Sequence, residues 1–317
     1  MTERILEEKK VTLANQRISM VATNRGAVLR SIHIDHQQIT RTLPDEETSP
    51  GDKAALVCAP IIFGRIKNRS ITFQGKDYVM PYPDDLNPDE VDPSKTYIHG
   101  IHHYYTYEIE ELNDTKVSYI LSKSRLPKKY PFPHTTRITY AIDGNDLLIS
   151  VEVFDTLVPT PALLTVHPFF LYTLPNGSRI QAKATLLKKF EYATNAALPQ
   201  PESPPIDLED GGPIKEWTTL DTSLDHSFLS ENPTSEIRWE GGPHLALIDE
   251  SELETPTKHH PLQIWTTGGH TRNACAIEQG GPANLFQLVD EKKVPEYFLP
   301  VVMPGESKKR VVRYKIC

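Results

Sequence analysis

A period of two runs through this chain. Short segments rich in Val, Ile, Thr, Tyr and Phe follow one another along its 317 residues, each closed by turn chemistry. No apolar stripe of period 3.6 reaches helix length. Arg17 to Thr23 passes through Asn24-Arg25-Gly26 into Ala27 to Ile34, which reads as a hairpin. Ser70 to Phe73 turns at Gln74-Gly75-Lys76-Asp77 into Tyr78-Val79-Met80. Thr136 to Ile142 and Leu147 to Phe154 flank Asp143-Gly144-Asn145, where glycine accepts the positive φ of a tight hairpin. Val151, Val153 and Asp155 alternate with Glu152, Phe154 and Thr156, so that strand presents two different faces. A last strand runs from Arg310 to Ile316. The pattern predicts an all-β chain.

Two stretches interrupt it. Pro81 to Lys95 is acidic and proline-rich, and Leu198 to Pro213 carries five prolines with Gly211-Gly212 near its end. Proline lacks the N–H that an inner strand needs, so both are expected at the surface. There they either line a binding cleft or are plain surface excursions. Neither marks a boundary and no internal repeat is present, so one domain spanning 1–317 is expected.

Composition narrows the function classes. With 38% hydrophobic and 24% charged residues the chain is built to fold rather than to stay disordered. A net charge of −8 leaves no electrostatic footprint for nucleic acid and would be repelled by an anionic membrane. Met1 to Lys10 has no apolar core of the kind a secretory signal uses. No run approaches the roughly 20 apolar residues of a spanning helix. Cys58, Cys275 and Cys317 stand at unrelated spacings, which suit neither a disulfide framework nor a metal site. A soluble, cytoplasmic protein is expected.

Chemistry concentrates in a few segments. Thr165-Val166-His167-Pro168-Phe169-Phe170-Leu171 holds one histidine in a strand-like run, its backbone pushed toward extended geometry by Pro168. Asn273-Ala274-Cys275-Ala276-Ile277-Glu278-Gln279 holds one carboxylate where a sheet interior is expected. An unpartnered buried charge is costly, so Glu278 needs a partner or a task. A His and a Glu facing one pocket are a minimum kit for moving protons at neutral pH. Gly64-Arg65-Ile66-Lys67-Asn68-Arg69 is either a solvated charge run or a set of donors for hydroxyls and carboxylates. Tyr97 to Tyr105 contains His99, His102 and His103. In a strand His99 and His103 would share a face while His102 points away, which disfavours zinc and leaves a substrate contact. Asp225-His226, read alone, is a turn or a helix cap. Walker-type, Gly-x-Gly-x-x-Gly, Gly-x-Ser-x-Gly and His-Glu-x-x-His motifs are absent.

Taken in order, these segments resemble the aldose 1-epimerase (galactose mutarotase) superfamily over most of the chain. Gly26 to Ile32 is similar to its early Gly-Ala strand. Gly64 to Arg69, followed by Ile71 to Tyr78, resembles its Gly-Arg-x-x-Asn-Arg element and hairpin. His99-Gly100, His167-Pro168-Phe169-Phe170, Asp225-His226-Ser227-Phe228, Ile277-Glu278-Gln279 with Pro282-Ala283-Asn284, and Pro304-Gly305-Glu306 follow in the family's order. Ile101 after Gly100 and Leu171-Tyr172 after the Phe pair depart from galactose-type members. Trp265-Thr266 and His167-Pro168 resemble a broader, divergent branch that includes hexose-phosphate mutarotases.

The resemblance implies a large antiparallel β-sandwich with an open cleft on one sheet, and an isomerase that interconverts α and β anomers without a cofactor. Glu278 falls at the position of the general base and His167 at that of the acid. Asn68, Arg69, His99 and Asp225 fall at positions that bind sugar hydroxyls. The expected partner is a small-molecule sugar or derivative. Acidic loops beside the cleft would favour a neutral sugar, whereas Arg65, Lys67 and Arg69 pull toward a phosphate. A carbohydrate-binding homologue without turnover, or an isomerase or lyase acting on a hexose phosphate or a non-sugar substrate in the same cleft, are the alternative readings. His167 and Glu278 are expected about a sugar ring apart across the cleft.

Overall fold

The computed structural model describes residues 7–42, 55–62, 64–66, 69–81, 97–190, 192–193, 198–199, 205–220, 224–251, 260–266, 273–280 and 299–317. Among them the only helical segments are single 3-10 turns, and the chain is an antiparallel β-sandwich. None of these helices is long and apolar enough to cross a membrane.

The hairpins form where turn chemistry meets alternation. Ile18–Thr23 pairs with Val28–Ile34, Ser70–Phe73 with Lys76–Val79, and Thr135–Asp143 with Asp146–Phe154. Gln74 and Gly75 both adopt positive φ, 51° and 73°, the geometry that lets a two-residue turn follow the strand twist. One large sheet runs in space through Lys10–Ala14, Ile18–Thr23, Val28–Ile34, Leu56–Ala59, Thr165–Pro168, Ala276–Gln279, His260–Trp265, Asp225–Ser230 and Leu186–Phe190, ending at Ile206–Asp207. The second runs from Glu108–Leu112 through Lys116–Leu121, Thr135–Asp143, Asp146–Phe154, Ser307–Ile316, His244–Asp249 and Thr234–Trp239 to Ile180–Lys183 and Thr218–Thr219.

The inner faces of the two sheets share one apolar core. Met20, Ile32, Val166, Ile264 and Ile277 come from the first sheet, and Ile138, Tyr140, Ile149, Leu247 and Tyr314 from the second. Two polar tips bond to backbone carbonyls within it. Tyr140 donates to the Ala27 carbonyl at 2.7 Å, and the Trp239 indole to that of Leu171 at 2.9 Å. A small separate cluster of Val28, Val57 and Phe169, with Trp265 against it, lies on the opposite face of the first sheet. Period two explains it, because Leu29, Cys58 and Phe170 beside them in sequence join the main core.

Two expectations change. Leu198 to Pro213 is not wholly loop: Leu198–Pro199 pairs with Tyr192–Ala193, and Ile206–Asp207 closes the first sheet. Both are edge positions, where proline costs no ladder bond. Apart from Pro81, the Pro81 to Lys95 stretch lies outside the described residues.

Candidate active site

The site is built on one rung of the first sheet. Thr165–Pro168 lies between Leu56–Ala59 and Ala276–Gln279, with Val57 opposite His167 and Val166 opposite Gln279. One step along both antiparallel strands puts Glu278 opposite His167. Gln263 pairs with Glu278, and Ser227 with Gln263. Directly opposed side chains leave a sheet on the same face, with Cβ atoms about 4.5–5.5 Å apart. Alternation thus turns Val57, His167, Glu278, Gln263 and Ser227 together, away from the main core.

His167 Nε2 lies 3.5 Å from Glu278 Oε1. The two are in direct cross-strand contact, closer than the sugar-ring separation expected, because adjacent strands bring them together. Glu278 is 2% exposed, and its Oε2 has no hydrogen-bond partner among the described residues. Burial, and after it the negative charge of Asp225, push the Glu278 carboxyl well above the usual carboxylate range. Its proton affinity is therefore that of a stronger base than a surface glutamate. His167 Nδ1 lies 3.3 Å from the Pro168 carbonyl oxygen. A carbonyl only accepts, so Nδ1 carries a hydrogen and Nε2 is the nitrogen left to face Glu278.

Asp225 opens the strand Asp225–Ser230, not a turn or a helix cap. Pairing with both His260–Trp265 and Leu186–Phe190 outweighs the local capping preference of Asp. Its Oδ1 accepts from Gln263 Nε2 at 3.0 Å, and Gln263 Oε1 accepts from the Ser227 hydroxyl. This chain fixes the orientation of the Gln263 amide and aims the Asp225 carboxylate.

His99 does not lie in a strand. His99 and Gly100 take left-handed φ of 54° and 76°, which ends Tyr97–Ile98 and opens the 3-10 turn His102–Tyr104. Gly64 holds His99 on both sides, donating to its Nδ1 at 3.3 Å and accepting from its backbone N–H at 2.9 Å. The His99 ring meets the His167 ring edge to face, centroids 5.1 Å apart. Arg69 is a second left-handed residue, φ 55°, and its guanidinium donates to the Met80 carbonyl at 3.1 Å. Strained non-glycine backbone of this kind collects at functional sites. Asn68 lies outside the described residues. Among the described residues no cluster of three or more His, Cys, Asp or Glu is arranged to hold a metal ion.

A family model for aldose 1-epimerase matches residues 9–315. The chain belongs to the aldose 1-epimerase family. Its fold is similar to that of a galactose mutarotase related enzyme from Lactobacillus acidophilus, at TM-score 0.72 and 16% identity over 98% of this chain and 97% of that one. It is similar to a GalM/aldose epimerase homologue from Caenorhabditis elegans, at 0.71 and 16% over 98% and 99%. It is similar also to galactose 1-epimerase from Lactobacillus acidophilus NCFM, at 0.67 and 15% over 98% and 99%. No curated protein sequence matches the chain.

In this aldose 1-epimerase family member the sequence reading missed part of the surroundings of the His–Glu pair. Phe169 stacks on the His167 ring, centroids 4.2 Å apart. Trp265 meets Phe169 edge-on at 6.2 Å, and the Arg41 guanidinium lies 4.4 Å from the Phe169 centroid. Gln263 carried a readable signal, one amide in the apolar run Pro261-Leu262-Gln263-Ile264-Trp265, the same signal that marked Glu278. Arg41 carried none, because it reaches the site only through sheet pairing, its N–H donating to the Phe169 carbonyl at 2.9 Å.

Proposed function

We propose that the protein interconverts the α and β anomers of an aldose by acid–base opening and closing of the sugar ring. The observation that carries this is the His167–Glu278 contact at 3.5 Å on the outer face of the first sheet. Ring opening removes a proton from the anomeric hydroxyl and delivers one to the ring oxygen. Those two oxygens share one carbon, so the base and the acid must be close neighbours, as cross-strand partners are. The Glu278 carboxylate takes the hydroxyl proton while the C1–O5 bond breaks and C1 becomes a carbonyl. The departing O5 receives the proton of His167 Nε2. Rotation about C1–C2 turns the other carbonyl face to O5, and the two transfers run in reverse. Protons and electrons balance over the cycle, and no cofactor enters it.

Each positioned acid or base contributes roughly 10²–10⁴-fold. A carboxyl pushed upward by burial suits the base, provided the neighbouring imidazolium holds it ionised before reaction. Asp225, aimed by Gln263, together with His99, Arg69 and Asn68, binds sugar hydroxyls in this reading. Phe169 and Trp265 supply apolar surface against the ring carbons.

Polarimetry with the α anomers of glucose and galactose and with their 6-phosphates tests the proposal. The protein should relax at least one of them well above the buffer rate, and Glu278→Gln should abolish most of that acceleration. Failure with all four sugars, or full activity in a folded Glu278→Gln protein, overturns it.

A further inference from the structure

The turn that carries His99 is tied down by a contact the proposed chemistry does not use. His102, three residues on, places its Nε2 2.8 Å from Nε2 of His134. His134 ends Tyr130-Pro131-Phe132-Pro133-His134 and leads into Thr135–Asp143 of the second sheet. Both rings are buried. Two nitrogens at that distance need a single hydrogen between them. His134 Nδ1 lies 2.6 Å from the Phe132 carbonyl oxygen, which only accepts, so Nδ1 carries the His134 hydrogen. Its Nε2 is then a lone pair, and His102 must donate from Nε2. His102 Nδ1 is left as a bare acceptor, buried without a partner among the described residues.

The surroundings keep this pair neutral. Burial, then the charges of His134 and His103, hold His102 well below the usual imidazole range. Burial pushes His134 down to about 4, against the opposing bond to Phe132. Tyr130 faces both rings, with centroids 6.2 Å from His102 and 6.0 Å from His134. Behind it stand Tyr105, Tyr107 and Cys58. Burial raises Tyr130 and Tyr107 and pushes the Cys58 thiol up to about 12. Among the described residues none of the groups acting on either imidazole is a carboxylate.

We infer that His102 and His134 are positioning residues, whose one N–H···N bond clamps the His99 turn to the second sheet and sets the His99 ring against His167. The inference rests on the proposed role of His99 in the site. The connection is short and buried: only Gly100 and Ile101 separate His102 from His99, and both are buried. Movement of the His102 ring is therefore passed to the left-handed His99–Gly100 step. A second proton on the pair would set two N–H groups facing at 2.8 Å, and the clamp would open.

Side-chain ¹⁵N NMR of the histidine-labelled protein tests it directly. His134 should appear as the Nδ1–H tautomer and His102 as the Nε2–H tautomer, both neutral down to about pH 5. His134→Gln keeps an acceptor oxygen near the same place but takes no proton, whereas His134→Phe leaves His102 without an acceptor. At pH 7 the Gln variant should keep the His99 ring signals and kcat/KM within about threefold. The Phe variant should shift those signals and lose about tenfold or more, the scale of a misplaced site group. Near pH 4, where His134 begins to take a second proton, the wild type should fall behind the Gln variant. Reversed tautomers, or a folded His134→Phe protein with unchanged His99 signals and kcat/KM, overturn the clamp. If His134→Phe does not fold, the tautomers and the pH 4 comparison decide. Tautomers and His99 shifts as expected with no mutarotation in any variant leave the clamp standing and remove the proposed function instead.

Discussion

Glu278 is the residue on which the proposal turns, because its burial and its task pull on the same proton. Glu278→Gln keeps the shape and the hydrogen-bonding reach but accepts no proton. Mutarotation should fall by roughly 10²-fold or more, read by polarimetry, while sugar affinity changes much less because the loss lies in the transition state. The same substitution makes a stability prediction with a definite sign. Burial raises the folded carboxyl above its unfolded value. The stability this gives the protonated form is complete below the ordinary carboxylate pKa and is lost as pH rises through the folded one. Glu278→Gln should therefore melt near the wild-type temperature around pH 4 and gain on it progressively toward pH 8. A melting difference that is flat with pH would show that ionisation of Glu278 costs the fold nothing.

At the scale of the element, the seam between the His167 and Glu278 strands is close-packed at its end. A Cβ on Gly280 would fall 2.6 Å from Thr165 Cβ, so Gly280→Ala must push the strands apart. The expected cost is about 1–3 kcal/mol, measured by urea unfolding, together with lost activity from a widened His–Glu contact. Retained activity and stability would mean the seam relaxes freely. The neighbouring rung gives a second test. Gln263→Leu fits an apolar strand position but removes the donor that aims Asp225. KM should rise about tenfold, the scale of one lost hydrogen bond to a charged group, with a smaller change in kcat. Steady-state kinetics that move kcat alone would take Asp225 out of substrate binding. Most of these strands were legible beforehand, since the alternation in Leu147 to Phe154 and the turn at Gly144 are local facts. The His99 turn was not. Its left-handed step serves the bonds to Gly64 and the packing of Ile101, and nothing in Tyr97 to Tyr105 itself demands it.

Across the whole molecule, buried histidines set the acid side of stability. His134, pushed down to about 4, and His102, also lowered, stay neutral in the folded chain but take protons near pH 6.5 when unfolded. The unfolded state then binds more protons, so stability should climb as pH rises from about 4 to about 6.5. Asp35 and Glu110, held low by Arg17 and Arg137, add stability that is lost only as pH falls below the ordinary carboxylate range. Glu278 runs the other way, with one group against several. Urea midpoints should rise over that interval, and His134→Gln should flatten the rise. An unchanged slope in the variant would place the acid sensitivity elsewhere.

Alternation and turn chemistry are properties of neighbouring residues, and by themselves they determined an all-β chain, its main hairpins, and a His and a Glu set among apolar strand residues. Which strands lie side by side is decided by long-range pairing, which the same hairpins would allow in many orders. Only the folded sheet brought His167 opposite Glu278 rather than a sugar ring away. Tertiary packing alone joined Gln263 to Asp225, laid Arg41 over Phe169, and set His102 against His134. A histidine in an apolar run reads the same whether it faces a catalytic carboxylate or another histidine; what differs is the partner, and the partner comes from a distant part of the chain.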